Sequence, residues 1–338
     1  MRSERALAAA LVLAGCLALA GCLDGAPHDN PLDPLSESYR DAGAVAGRVT
    51  GIYPPFEGRA GVRVHLLPLD AAGAERVVRT GADGTFRAEG LPGGRYEVRA
   101  EDDGFRDAAD TLAVAAGEVA QTTLRLDALP VVTSQSAWTV HIEQWPPRGP
   151  LFQLEVRVEA TDPDRALDVA AAALVVEGLQ FREPLFETEP GRFRATLDAA
   201  AFPGGRVQAL LGRSLRVEVT DHLGNTALGP PLALVRVVEQ TPVALRPTIN
   251  EAPPPNPPTL EWGLDSLPFA FTYRVDVALV DGAGVEVVVY SRDGLPPTAA
   301  THAVQTVLAP GDYTWTVRVV DEAGNQSRSK PAGFRVLR

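Results

Sequence analysis

Val219-Thr220-Asp221-His222-Leu223-Gly224-Asn225 returns 100 residues later as Val319-Val320-Asp321-Glu322-Ala323-Gly324-Asn325. In both copies an alternating stretch runs into Asp-x-x-Gly-Asn, and a short apolar stretch follows. An Asp side chain bonds the backbone of the turn that it opens, and Gly and Asn accept left-handed geometry. Each copy therefore reads as a tight hairpin closing a β-domain. A spacing of about 100 residues is that of one sandwich domain. The repeat predicts two β-sandwiches in series.

The rest of the composition agrees. Gly and Pro number 31 and 29, and they punctuate short runs rich in Val, Leu, Thr and aromatics that alternate with period two. No segment after Cys22 holds a helical period for three turns, and the Ala-rich stretch Ala166–Val176 is read as a strand. In the sandwich over 130–240, strands are expected at 138–142, 152–158, 173–176, 193–197 and 215–219. In the sandwich over 241–338 they are expected at 260–262, 269–280, 285–290, 303–308, 313–320 and 333–337. Pro253 to Pro258 is a stiff spacer, because proline fixes φ and donates nothing to a ladder. Tyr313, Trp315, Val317 and Val319 should line one buried face, and Trp262 should join that core.

A third β-domain is expected over 43–129. Its signals are Gly47-Arg48-Val49, Gly61-Val62-Arg63-Val64, Asp83-Gly84-Thr85-Phe86 with Asp83-Gly84 read as a tight hairpin turn, and Gly90-Leu91-Pro92-Gly93-Gly94-Arg95-Tyr96. Gly104-Phe105 and Leu124-Arg125-Leu126 follow. This combination resembles the carboxypeptidase regulatory-like domain, a transthyretin-like β-sandwich. The resemblance implies an accessory domain, grouped with carbohydrate-binding folds. The hairpin repeat and the Gly-Asp-Tyr-Thr-Trp entry at Gly311–Trp315 resemble Ig-like and fibronectin type III domains. The whole reads as an all-β chain of three tandem sandwiches.

Residues 1–21 read as a secretory signal: Arg2 and Arg5, the apolar run Ala6–Ala20, then Leu19-Ala20-Gly21-Cys22. The ending resembles the lipobox of bacterial lipoproteins, which implies cleavage before Cys22 and lipid on its sulfur. The same tetrapeptide ends at Cys16, but a cut there would leave a short apolar core and an apolar new terminus. An uncleaved membrane span needs about 20 apolar residues, more than this run supplies. Residues 22–42, with Pro27, Pro31 and Pro34, read as an extended tether; Asp24, Asp29, Asn30 and Asp33 lack the spacing of a calcium loop. Leu23 rather than Asp after the lipidated residue implies outer-membrane sorting, where an aspartate retention rule operates.

Composition excludes more than it assigns. Cys16 and Cys22 are the only cysteines, so the processed chain has none for disulfides, zinc or nucleophilic chemistry. Net charge is −12, and Lys330 is the only lysine. With no basic cluster, a nucleic-acid partner is not expected. None of the five histidines has a histidine within five residues or a Glu three residues on, so zinc-site spacing and the zinc-carboxypeptidase ligand pair are absent. All five are read as surface or strand-edge residues. Asp162-Pro163-Asp164, with Asp168, is read as an Asp-Pro turn, with a calcium loop as the alternative. No cofactor and no metal are expected.

The remaining candidates are aromatic. Trp145-Pro146-Pro147 and Tyr53-Pro54-Pro55-Phe56 read as loops, so Trp145, Tyr53 and Phe56 are the candidate ligand contacts; packing between domains is the alternative. The expectation is a non-catalytic envelope lipoprotein held by lipid on Cys22, with an envelope protein or a glycan as partner. A scaffold or adhesion role comes first, carbohydrate binding second, and an accessory subunit of an envelope enzyme or secretion system third.

Overall fold

The computed structural model describes residues 42–71 and 73–337. The signal over 1–21, Cys22 and the tether up to residue 41 lie outside the described residues. What is described is all-β, relieved by 3-10 turns between Ala199 and Leu210. No helix among the described residues is long and apolar enough to cross a membrane. The chain divides into two compact bodies, one ending at Ala128 and the other beginning at Leu129.

The first body has strands β1 (Gly43–Gly51), β2 (Arg63–Pro68), β3 (Arg76–Arg79), β4 (Thr85–Leu91), β5 (Gly94–Glu101), β6 (Phe105–Arg106), β7 (Ala108–Val114) and β8 (Val119–Ala128). They form two sheets, ordered β4-β1-β8-β6 and β3-β2-β5-β7. Alternation gives each sheet one apolar face. Val45, Val49, Phe86 and Leu126 from one sheet meet Val64, Leu66, Tyr96 and Val98 from the other in a single core. The Asp83-Gly84 turn differs from the sequence reading. β3 pairs with β2 and β4 pairs with β1, so the turn is not a hairpin but a corner that carries the chain between sheets. Asp83 Oδ1 accepts the Thr85 N–H at 3.0 Å, and Gly84 takes φ 82 with no room beside it: a Cβ there would sit 2.4 Å from the Val49 carbonyl oxygen.

The second body holds sixteen strands. β9 (Val131–Ile142), β10 (Leu151–Thr161), β11 (Val169–Val176), β12 (Phe181–Glu189), β13 (Arg192–Asp198), β14 (Ser214–Asp221), β15 (Thr226–Leu228) and β16 (Leu232–Ala233) build one sandwich. β17 (Val243–Arg246), β18 (Thr259–Gly263), β19 (Phe271–Val280), β20 (Glu286–Leu295), β21 (Thr301–Ala303), β22 (Gly311–Asp321), β23 (Gln326–Arg328) and β24 (Ala332–Val336) build another. Each has its own core. Leu154, Val156, Leu174, Phe193, Leu215 and Val217 fill the first. Leu260, Trp262, Tyr313, Trp315, Val317, Val319 and Phe334 fill the second, with Trp262 and Trp315 buried as expected. Burying each such side chain contributes roughly 1.5–3 kcal/mol, and no disulfide is needed to hold either core.

Two details correct the sequence reading. Val169–Val176 is a strand, but Phe181–Glu189 is a strand that was not expected. It switches sheets midway: residues 181–185 pair with β11 and residues 186–189 with β13, stitching the sandwich along one side. The stretch over 303–308 is not a strand; β21 ends at Ala303, and Val304 and Leu308 enter the core from the irregular chain beyond it.

The two Asp-x-x-Gly-Asn hairpins are built alike. Asp221 and Asp321 donate their N–H to the carbonyls of Asn225 and Asn325 at 3.0 Å in both. Each Asp Oδ1 accepts the N–H of its Asn at 2.8 Å, and each Oδ2 accepts the Asn side-chain amide, at 2.7 and 3.0 Å. Gly224 and Gly324 both take φ 86. Glycine alone uses the left-handed region here; the asparagine serves instead as a side-chain clasp.

Candidate functional site

The seam between the two sandwiches of the second body is a strand pairing. β23 runs parallel to the end of β9, matching Gln326 to Val140, Ser327 to His141 and Arg328 to Ile142. The same 186-residue offset continues on both sides. Asn325 Oδ1 accepts the backbone N–H of Thr139 at 2.9 Å and its hydroxyl at 3.1 Å. Beyond the strands, Trp145 Nε1–H donates to the Pro331 carbonyl at that offset, at 2.8 Å, and Glu143 N–H donates to the Arg328 carbonyl, one residue short of it, at 3.0 Å. The sandwiches are thereby joined in one continuous sheet.

The segment linking them is tied down too. Ser327 Oγ donates to the Gln240 carbonyl at 2.7 Å, Val238 enters the later core, and Arg236 Nε lies 3.2 Å from Asp321 Oδ2. His141 sits inside this seam at 3% exposure, stacked on Phe152 with ring centroids 4.1 Å apart. Its Nδ1 lies 3.3 Å from the Val238 carbonyl, which can only accept, so Nδ1 carries the proton. Burial lowers its pKa below the ordinary imidazole value, so the ring is held neutral. The expectation that every histidine lies at the surface or at a strand edge fails at His141, which is paired on both sides and buried. Its burying partners come from the far end of the repeat and leave no mark in the local pattern Thr-Val-His-Ile.

Where this ladder ends, Trp145 stands beside a cleft of about 370 Å³. Pro242, Val243, Ala244, Pro331 and Ala332 supply its apolar walls; Glu143, Thr241 and Lys330 are its polar members. Trp145 is 59% exposed although its N–H is tied to Pro331. The indole is therefore oriented by the seam and still offers its surface to solvent. The Lys330 ammonium lies 5.1 Å from the ring centroid, within cation–π range. A second hollow shares Thr241 and Val243 with this cleft.

Tyr53 and Phe56 belong to the first body and do not line the cleft. Phe56 N–H donates to the Tyr53 carbonyl at 2.8 Å, closing a turn in which Phe56 takes φ 57. Both rings are half-buried, and the Arg125 guanidinium covers the Phe56 ring at 4.5 Å. That placement fits packing better than an open ligand face.

The Asp162 region is an Asx turn, with Asp162 Oδ1 accepting the Asp164 N–H at 2.8 Å. Asp162 and Asp168 are both buried, and His222 Nδ1 reaches Asp168 Oδ1 at 3.1 Å. No group of three or more His, Cys, Asp or Glu among the described residues is arranged to hold a metal ion. Burial pushes the Asp162 carboxyl up to about 6, and the negative charges of Asp164, Asp168 and Asp221 add to the effect. The sequence held all four carboxylates but not the burial that perturbs one of them.

Residues 44–127 match the carboxypeptidase regulatory-like domain family. A comparison with curated proteins found no match. Among solved structures, the chain is similar to BcpA, the major pilin subunit of Bacillus cereus, at 13% identity and a TM-score of 0.30, over 88% of this chain and 95% of that one. It is also similar to the fibronectin(III)-like modules of Clostridium thermocellum CbhA, at 14% identity and a TM-score of 0.28, over 62% and 93% of the two chains. A putative carbohydrate binding protein from Bacteroides uniformis matches at 11% identity and a TM-score of 0.23, over 56% and 96%.

Proposed function

We propose that this protein is a non-catalytic binding scaffold of the bacterial envelope, anchored by lipid on Cys22, with outer-membrane sorting. The observation that carries the reading is Trp145, exposed yet hydrogen-bonded into the seam of two strand-paired sandwiches. A ring held in place loses little freedom when a partner covers it, and that is the economy of a binding surface. The walls beside it are indole, pyrrolidine and methyl surfaces, which bind rather than react. The sheet shared across the seam fixes the spacing of whatever the scaffold presents. Carbohydrate binding is the second reading, favoured by the same exposed indole, since sugar rings stack on such faces.

Metabolic labelling with a fatty acid tests the anchor. Label should enter the wild type and be lost in Cys22→Ala; label retained in Cys22→Ala sinks the anchored reading. A photo-crosslinking residue at Thr241, beside the cleft, tests the scaffold. One defined envelope adduct, lost in Trp145→Ala, is expected; no adduct, or one indifferent to Trp145, sinks it.

A further inference from the structure

We infer that the Trp145 cleft is a subsite for a saccharide that carries a carboxylate. This deepens the binding reading above and rests on it. Three features of the cleft point to a small ring with an acid group.

First, the cleft disfavours an added peptide strand. β17, the strand beside it, is four residues long and is bracketed by Pro242 and Pro247; β24 is preceded by Pro331. Proline has no N–H to give a ladder, and a short edge guarded by prolines is how sheets avoid strand addition. Second, the apolar surfaces are flat faces at the small end of ligand pockets in volume. The indole and the pyrrolidine rings of Pro242 and Pro331 match the axial C–H face of a pyranose. Such stacking is favourable without directional bonds.

Third, the polar complement is specific. Lys330 is the only lysine among 31 basic residues, and it stands in this cleft. Its ammonium makes no ion pair among the described residues and rests over the ring face instead. A compact ammonium with three donors suits a carboxylate whose direction of approach varies. Glu143 faces the same space and can accept from sugar hydroxyls. In a chain of net charge −12, an ammonium free of a carboxylate partner is the local exception that admits an anion.

The test uses the full chain purified in a sugar-free detergent, with Trp145 as its own reporter. Trp262 and Trp315 are buried and give a constant background, and the half-buried Trp138, which does not line the cleft, is replaced by Phe in every protein titrated. Tryptophan fluorescence is titrated with galacturonate trisaccharide, with the neutral galactose trisaccharide and with a proline-rich peptide. The acidic sugar should change the emission saturably and the neutral one far more weakly. Trp145→Ala should abolish the change. Lys330→Gln should weaken acidic-sugar binding by about tenfold or more, the usual weight of a charge-assisted hydrogen bond, while Lys330→Arg retains part of it; unfolding midpoints should be unmoved in both Lys330 variants. Saturable binding of the neutral sugar or of the peptide with equal strength overturns the acidic-sugar inference and leaves the binding scaffold standing. No response to any of the three by folded protein overturns the inference as well. The scaffold reading then stands or falls on the crosslinking result alone.

Discussion

Replacing Asp162 with Asn should stabilise the protein, and by an amount that depends on pH. Asp162 is 4% exposed, and its Oδ2 is buried with no hydrogen-bond partner. Its pKa is raised from 3.8 to about 6, first by burial and then by Asp164, Asp168 and Asp221. The folded state therefore holds a proton that the unfolded chain gives up. The stability this proton confers is fully present below the unfolded value and is lost as pH rises through the folded value. At pH 7.5 the charged carboxylate costs about 3 kcal/mol, the gap between 3.8 and about 6 converted at 1.36 kcal/mol per pH unit. At pH 5 the same linkage leaves about 1.5 kcal/mol. Asn keeps an oxygen for the Asp164 N–H and carries no charge. Native-state hydrogen exchange at Leu174 and Val217, both in the core strands of this sandwich, reads its opening free energy. Asp162→Asn should raise that energy over wild type by about 3 kcal/mol at pH 7.5 and by about half as much at pH 5. Comparing the two proteins at each pH cancels His141 and His302, whose pKa values burial lowers and whose protonation works the other way. The exposed Asp70, Asp83 and Asp312 have lowered pKa values and titrate below this window. A variant no more stable than wild type at pH 7.5, or a difference equal at both pH values, refutes the reasoning.

Two further substitutions test other parts of the structure. Asn325→Ala removes the acceptor for the buried Thr139 N–H and the clasp on Asp321, and should cost about 2 kcal/mol or more; exchange at Thr139 should accelerate while Leu154, in the core of the preceding sandwich, stays protected. Gly84→Ala places a side chain at φ 82 and 2.4 Å from the Val49 carbonyl, and should destabilise the first body by about 3 kcal/mol in urea unfolding.

Much of the fold was legible because alternation and turn chemistry are local. Tyr313, Trp315, Val317 and Val319 alternate in the sequence and are buried in the structure. The Asp-x-x-Gly-Asn turns were legible for the same reason, since all their bonds lie within five residues. What failed to show was decided at a distance. β12 carries mostly exposed residues and a proline, so no apolar face announced it; its pairing with two different sheets makes it a strand. Asp83-Gly84 reads as a hairpin because a hairpin and a corner use the same residues, and only the pairing of β3 and β4 with other strands tells them apart. Trp145 was picked out from its Pro-Pro loop, yet Lys330 and Glu143 became neighbours of it only through a pairing across 186 residues.

The two copies of the hairpin show how one local motif takes on different energetics. In both, Asp and Asn close the same turn with nearly the same distances. At the second copy an arginine, Arg236, neutralises Asp321, and Asn325 turns its oxygen onto the neighbouring sandwich. At the first copy Asp221 is one of the carboxylates that raise the Asp162 pKa. The turn is set by residues within it; its charge balance is set by whatever strand arrives beside it. The second arrangement also holds Trp145 in place. Asn325 bonds Thr139, three strand pairs follow at one offset, and the Trp145–Pro331 bond falls at that same offset. A defect at Asn325 should therefore travel along the seam and free the indole, six residues away from Thr139, although the substitution touches no atom of the cleft.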